Sequence, residues 1–343
     1  MDKEKPVVRV EISYKTIIFS VFFLIALWFV IQIKEVIVLI FLSIILLSAL
    51  LRPVEWINSK KIPRVIAVAF VYLAVVALMA FVLGAIVPPL ISQSSAFISR
   101  LPQITNTVND YLIFHHIPTE DISQVIARQF QQIAGNVVEI SKTIVSSIVL
   151  VITLFVITFY LLLEWKKFLK FSASPFSGKQ EKKIINVISE VENGLGKWVR
   201  GQVTLSFLVG VMSYIGLLIL GIPYALPLSL IAGILEIVPI VGPIIAAIPA
   251  ILVGLSVSPL VGVSVVALFI IVQQLENHVF VPLIMSRVVG LQPPVVIIAL
   301  LIGAKIAGIG GAFLAVPVIV VVKILIAELF KEEKEIEDGL AEQ

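Results

Sequence analysis

Residues 65–87 read VIAVAFVYLAVVALMAFVLGAIV and contain no charged side chain. A stretch of roughly 18 apolar residues is enough to cross the hydrocarbon core of a bilayer. Inside that core every peptide group must find its hydrogen bond within the protein, which leaves a helix or a closed barrel. Such a long unbroken run has no alternation of polar and apolar residues, so the helix is the expected form. Further apolar runs at 17–33, 36–51, 143–163 and 203–222 extend the pattern. Composition agrees, since 59% of residues are hydrophobic and 14% charged, where a soluble domain carries about 25% charged. The expected fold class is an all-α polytopic membrane protein with about eight hydrophobic segments.

Other classes are set aside by the same reading. A net charge of +3 is too small to suggest nucleic-acid binding, and no basic patch is interleaved with aromatics. Cysteine is absent, which excludes disulfides, thiolate metal sites and cysteine nucleophiles. No phosphate-cradling GxxxxGK[ST] loop, HExxH or GxSxG occurs, so the chain is expected not to be an enzyme. The first apolar run leads directly into the second, which does not fit a cleaved signal peptide.

Lysine and arginine predict the orientation, because cytoplasmic loops collect them. The N-terminal tail holds Lys3, Lys5, Arg9 and Lys15, and the loop after the second run holds Arg52, Lys60, Lys61 and Arg64. Segment 164–200 is the most basic, while the longer 88–142 stretch holds only Arg100, Arg128 and Lys142. The N-terminus is therefore expected inside and residues 88–142 outside, as amphipathic helices carrying Phe97, Leu101, Ile104, Val108 and Leu112 at helical spacing. Lys34 and Glu35, between the first two runs, predict a tight helical hairpin there. Glu164, Trp165, Lys166 and Lys167 read as an interfacial anchor. In DYLIFHHIPTED, Asp110, His115, His116, Glu120 and Asp121 could suggest a metal, but a helix start capped by Thr119 accounts for them more simply. No metal site is expected.

The C-terminal half is different. Residues 223–255 would make about 50 Å of helix, too long for one upright span. Broken near Pro239, Gly242 and Pro243, each half is about 20–25 Å and too short to cross a core of roughly 30 Å. That arithmetic predicts a re-entrant hairpin. It recurs at 290–326, where Pro293 and Pro294 open the stretch and Gly303, Gly308, Gly310 and Gly311 break it. GPIIAAIP at 242–249 also aligns with GGAFLAVP at 310–317, placing Pro249 beside Pro317. A polar-bearing span from Ser258 to about Met285 lies between them. If the first hairpin opens outward, that span brings Arg287 inside and the second hairpin opens inward, leaving Lys323, Lys331 and Lys334 cytoplasmic. The result is an inverted repeat of the kind transporters use; the alternative, in which both stretches cross fully, keeps the C-terminus inside but leaves Arg287 outside.

Candidate functional residues follow from charge inside oil. Glu236 and Lys305 lie at the two breaks, where a lipid-facing charge would cost several kcal/mol. They read as part of a substrate or ion path, paired across the tips at a site near mid-membrane between the two hairpins; a structural salt bridge is the plainer alternative. Gln273, Gln274, Glu276, Asn277 and His278 form the densest polar cluster in any apolar span. Such a stripe either faces protein and water or marks the cytoplasmic end of the span. The residues proposed to bind substrate or ion are Glu236, Pro239, Gly242, Pro243, Gln273, Gln274, Glu276, Asn277, Lys305, Gly308, Gly310 and Gly311. Pro249, Pro282 and Pro317 are the proposed hinges.

EIVPIVGPIIAAIPA, QQLENHVFVPLIMSRVVGLQPP and GGAFLAVPV, in that order and within this layout of spans, resemble the autoinducer-2 exporter family of bacterial and archaeal membrane proteins. Glu236, Pro239, Gly242, Pro243 and Pro249 match the first motif; Gln274, Glu276, Asn277 and Pro282 match the second. The resemblance implies a secondary transporter, exporting and homo-oligomeric, in the cytoplasmic membrane. It carries two substrate classes: the small polar signal autoinducer-2, and sodium–proton exchange.

The expected organisation is three spans at 1–87, an extracytoplasmic segment at 88–142, and a fourth span with a charged cytoplasmic helix at 143–202. A transport core at 203–327 and a cytoplasmic tail at 328–343 follow. The partners expected are the lipid bilayer and a small polar solute or monovalent cation. No cofactor is expected beyond a coupling proton or sodium ion. The rival readings are a sodium/proton antiporter and a passive channel or non-transporting scaffold.

Overall fold

A computed structural model of the chain describes residues 14–82, 84, 149–285, 290 and 292–341. The outer segment 88–142, with Asp110, His115, His116, Glu120 and Asp121, lies outside the described residues, as does Arg287. The described residues are helical, without a strand. Seven of their helices are long and apolar enough to cross a bilayer, and two shorter apolar helices accompany them. This is the all-α polytopic architecture that the hydropathy pattern predicts.

Helix α1 (Tyr14–Gln32) and helix α2 (Lys34–Ser59) do not form the tight hairpin expected at Lys34-Glu35. Helical hydrogen bonds cross the joint, from Ile33 N–H to the Phe29 carbonyl and from Ile37 N–H to the Ile33 carbonyl, both 3.0 Å. α1 buries none of its side chains. The physical reason lies in the joint itself. Lys and Glu favour helix, and neither Gly nor Pro is present to turn the chain back.

α2 packs with α3 (Arg64–Val82) and α4 (Val149–Ala173) around Leu47, Leu51, Val54, Val68, Leu162 and Trp165. α3 and α4 run antiparallel, as two long-range bonds show: Arg64 Nε to the Leu162 carbonyl and Tyr72 Oη to the Phe155 carbonyl, both 2.9 Å. Trp165 is 4% exposed in this core, so it does not serve as the interfacial anchor that its charged neighbours suggest. Glu164 and Lys167 do stay on the surface, paired at 2.8 Å.

The charged segment and the fifth apolar run are one helix, α5 (Lys179–Ile219). It is the centre of the C-terminal half. Small residues let neighbours come close to it: a Cβ on Gly196 would meet the Ser48 carbonyl of α2, and one on Gly210 would lie 3.6 Å from the Gly233 Cα.

Both predicted breaks are present. α6 (Ala225–Leu235) and α7 (Val241–Val257) are separated by the turn 236–240. The chain folds back there, so that a Cβ on Gly242 would overlap the Leu235 carbonyl. α6 is about 16 Å long and α7 about 25 Å, so neither reaches across a core of about 30 Å. α8 (Pro259–Leu275) starts at Ser258, whose hydroxyl accepts from the Val261 N–H at 3.2 Å. It continues through a π-turn (Glu276–Phe280) into the short α9 (Val281–Met285). A wide turn at this point fits Pro282, which has no N–H to give to the carbonyl one turn back.

α10 (Pro293–Ala341) is broken at Ala307 (φ −140°, ψ 26°) and Gly308 (φ 60°, ψ −141°). Gly308 has a conformation open essentially only to glycine. The arms on either side fold onto each other, with Gly303 against Gly311 and Ala315. At the base of this second hairpin, Lys323 Nζ donates to the Gly290 carbonyl at 3.0 Å.

Candidate functional site

The turn of the first hairpin carries the acid. Glu236 is the residue that ends α6, its N–H still bonded to the Ala232 carbonyl at 3.0 Å. Its side chain is 0% exposed. The rest of the turn is tightly wound. Val241 N–H donates to the Pro239 carbonyl at 2.8 Å across Ile240, which sits at φ 70°, ψ −52°. That is a γ-turn of the rare positive-φ kind, and a β-branched residue there is strained by about 1–3 kcal/mol. Gly242 is required next, since the Leu235 carbonyl occupies the space of its Cβ. Pro243 falls in the first turn of α7, where a missing N–H costs nothing.

Three elements close on this turn. From the π-turn that follows α8, Glu276 is 3% exposed, and its carboxyl lies beside that of Glu236. Gln273 steadies it, Nε2 donating to Glu276 Oε2 at 3.0 Å. From α5, Gln202 (3% exposed) donates Nε2 to the Glu236 carbonyl. The second hairpin contributes an apolar wall, because Val238 belongs to a cluster with Ala299, Leu300, Ala312, Ala315 and Val316. Gln202 and Glu276 are level with each other, each about 25 Å along its helix from Ile219 and Pro259 respectively.

The electrostatics are one-sided. Neither oxygen of Glu236 accepts an N–H or O–H bond among the described residues. Neither Glu236 nor Glu276 takes part in a salt bridge among the described residues. Arg200, two residues from Gln202, turns away instead; its Nη1 would lie 3.1 Å from a Cβ on Gly196, close to Ser48 of α2. The C-terminal end of α6 adds the partial negative charge of the helix dipole. Two carboxyls and a helix C-terminus therefore meet without a salt bridge to a basic side chain among the described residues.

The other candidates are placed as follows. Gln274, Asn277 and His278 are exposed on the outer side of α8 and its π-turn, with His278 Nδ1–H donating to the Gln274 carbonyl at 3.0 Å. Lys305, Gly308 and Gly310 are exposed at the second tip, and Gly311 is half-buried. No ion pair joins Lys305 to Glu236. Pro249 and Pro317 lie inside α7 and α10, and Pro282 inside α9. Gln202 escapes sequence reading because it sits one residue before an apolar run, where polarity is ordinary. The one available signal is a Gln following Arg200-Gly201 at the head of that run.

Seven apolar helices of membrane-crossing length, with a carboxyl pair buried among them at a broken hairpin, define a multi-pass membrane protein. The chain matches the model of the AI-2E family transporters over residues 17–331, and it belongs to that family. It is similar to YrrI of Bacillus subtilis, named for transport, at 28% identity over 333 residues, covering 93% of this chain and 94% of that protein. YueF of the same organism, also named for transport, is 29% identical over 296 residues (81% and 80% covered). A Mycobacterium tuberculosis relative with the same kind of name is 26% identical over 311 residues (85% and 83% covered). Membrane transport is the function these findings support.

Proposed function

We propose that the protein is a secondary transporter of the cytoplasmic membrane, with both termini inside, that couples export of a small polar solute to a proton bound between Glu236 and Glu276. One observation carries this reading: two buried carboxyls lie side by side, and neither belongs to a salt bridge among the described residues. An ionised carboxylate can only accept hydrogen bonds, so contact between two of them requires a proton on one. Protein carboxyls left uncompensated at this depth mark ion pathways far more often than structure. The first tip, α5 and α8 form the site, with the second hairpin behind it, toward the cytoplasmic side of the mid-plane. An autoinducer-2-like signal is the solute class suggested by the family. The subunits form a homo-oligomer.

A sodium/proton antiporter is the second reading. It is favoured by the oxygens gathered here, from Glu236, Glu276, Gln273 and Gln202, which suit a monovalent cation as well as a proton. Proteoliposomes decide between the two. Flux of small polar metabolites and of sodium is measured with and without a pH gradient. Gradient-driven flux that falls to the level of empty liposomes in Glu236→Gln and in Glu276→Gln is the expected result, and the solute that moves tells exporter from antiporter. Full flux in both variants would refute the site.

A further inference from the structure

We infer that Ser206 and Ser213 of α5 line a water path, closed in the present conformation, that links the Glu236–Glu276 pair to the outer end of α5; as a route for protons it rests on the function proposed above. The starting point is a contrast among hydroxyls. In apolar helices Ser and Thr ordinarily return their hydroxyl to a carbonyl one turn back. Ser43, Ser48, Thr158, Thr204 and Ser264 all do so, at 2.7–2.9 Å. Ser206 and Ser213 do not. Their Oγ atoms are buried and have no hydrogen-bond partner among the described residues, and Ser213 is 0% exposed.

Their placement is also ordered. Gln202, Ser206 and Ser213 fall within about 40° of one another around α5 at 3.6 residues per turn. Gln202 is the residue that touches the acid-bearing turn, so the stripe starts at the acid pair and runs toward Ile219. The gap between the two serines is bridged from α6. Gly210 meets Gly233 and the Ser229 carbonyl there, a Cβ on Gly210 lying 3.5 Å from that oxygen. Ser229 itself is buried, its hydroxyl bonded to the Leu226 carbonyl at 2.8 Å. A buried hydroxyl without a partner costs about 1–3 kcal/mol. Two on one face, aligned with an unbalanced acid, are accounted for if water enters this seam when the α6–α7 hairpin moves off α5. Water then carries protons between the outer face and the acids.

The chain lacks cysteine, so single thiols report on water without background. Ser206→Cys, Ser213→Cys and the lipid-facing control Phe207→Cys (Phe207 is 69% exposed) are reconstituted as full chains. They are treated from outside or inside with a small membrane-impermeant thiol reagent. The thiolate that reacts forms only where water reaches, so both serine positions should react from outside at least about tenfold faster than Phe207→Cys. Rates no faster than the control, or reaction from inside alone, overturn the inference. If a cysteine variant does not elute as folded protein, amide exchange of the unmodified chain serves. Residues 202–213 should then exchange faster than 259–272 of α8, and equal protection overturns the inference. Glu236-independent flux with labelling intact would remove the transport reading and leave the water path standing.

Discussion

Replacing Gln202 with Leu isolates the contact that pins the first hairpin. The two side chains are close in volume, so the packing of α5 against the turn changes little. What is lost is the donor to the Glu236 carbonyl. That carbonyl belongs to the end of α6, where helix carbonyls lack partners along the chain, and no backbone N–H among the described residues takes it. Because the acceptor is backbone, it cannot be removed together with the donor. Orphaning a buried acceptor in water-soluble proteins costs about 1–3 kcal/mol. In a membrane the reference state already holds helices in lipid, so Leu gains no hydrophobic advantage over Gln and polar groups find other partners. The cost narrows to between about 0.6 and 1.7 kcal/mol.

The sign is therefore fixed by the orphaned carbonyl. Unfolding of the purified protein, followed by intrinsic fluorescence in detergent, should show Gln202→Leu less stable by that amount. Thr204→Val on the same helix is the control. Its hydroxyl returns to the Arg200 carbonyl at 2.8 Å on an exposed face, so it should stay within about 0.5 kcal/mol of the parent. A Gln202→Leu protein as stable as the parent, or more so, refutes the claim that this bond holds the turn.

Two further substitutions test the hairpins. Gly308→Ala places a Cβ where φ is 60° and ψ −141°, and should destabilise by about 1–3 kcal/mol in the same unfolding assay; an unchanged midpoint would mean the second arm does not turn there. Lys305→Ala removes an exposed cation that no residue of the first tip engages. It should change stability by less than about 0.5 kcal/mol and leave gradient-driven flux intact, whereas loss of flux would return Lys305 to the site.

Much of this architecture is legible because hydropathy and chain breaking act locally. The apolar runs that begin at 65 and 203 lie in helices, α3 to Val82 and α5 to Ile219, since lipid allows little else, and the breaks at 236–240 and 307–308 fall where Pro and Gly are dense. Glu236 stands out for the same reason, as a lone acid in oil. Its partner is less legible. Which residue of α8 comes level with the turn depends on how deep the hairpin reaches, and five polar residues from Gln273 to His278 compete for the place. Burial separates Glu276 from its exposed neighbours Gln274 and Asn277. The α1–α2 joint fails in the opposite direction: charge there suggested a loop, although Lys and Glu suit a helix.

The two hairpins share a frame, with a glycine just after the break and a proline two turns on, yet they differ in what holds their tips. The second tip is exposed, with Ile306 at 78% and Ile309 at 74%, and its sharp turn is met by a glycine that tolerates it. The first tip uses Ile240 at positive φ, a conformation that persists only where the surroundings over-determine it. Those surroundings are specific: Gln202 from α5, Glu276 from the π-turn after α8 and the wall against Val238. Strain, buried acid and pinning contacts thus coincide at one turn and are absent from the other. An element that stores energy and is held by specific contacts is the kind that can switch between two arrangements. In the proposed function, protonation of the acid pair would alter one of those contacts directly and so join the charge and the broken helix in one device.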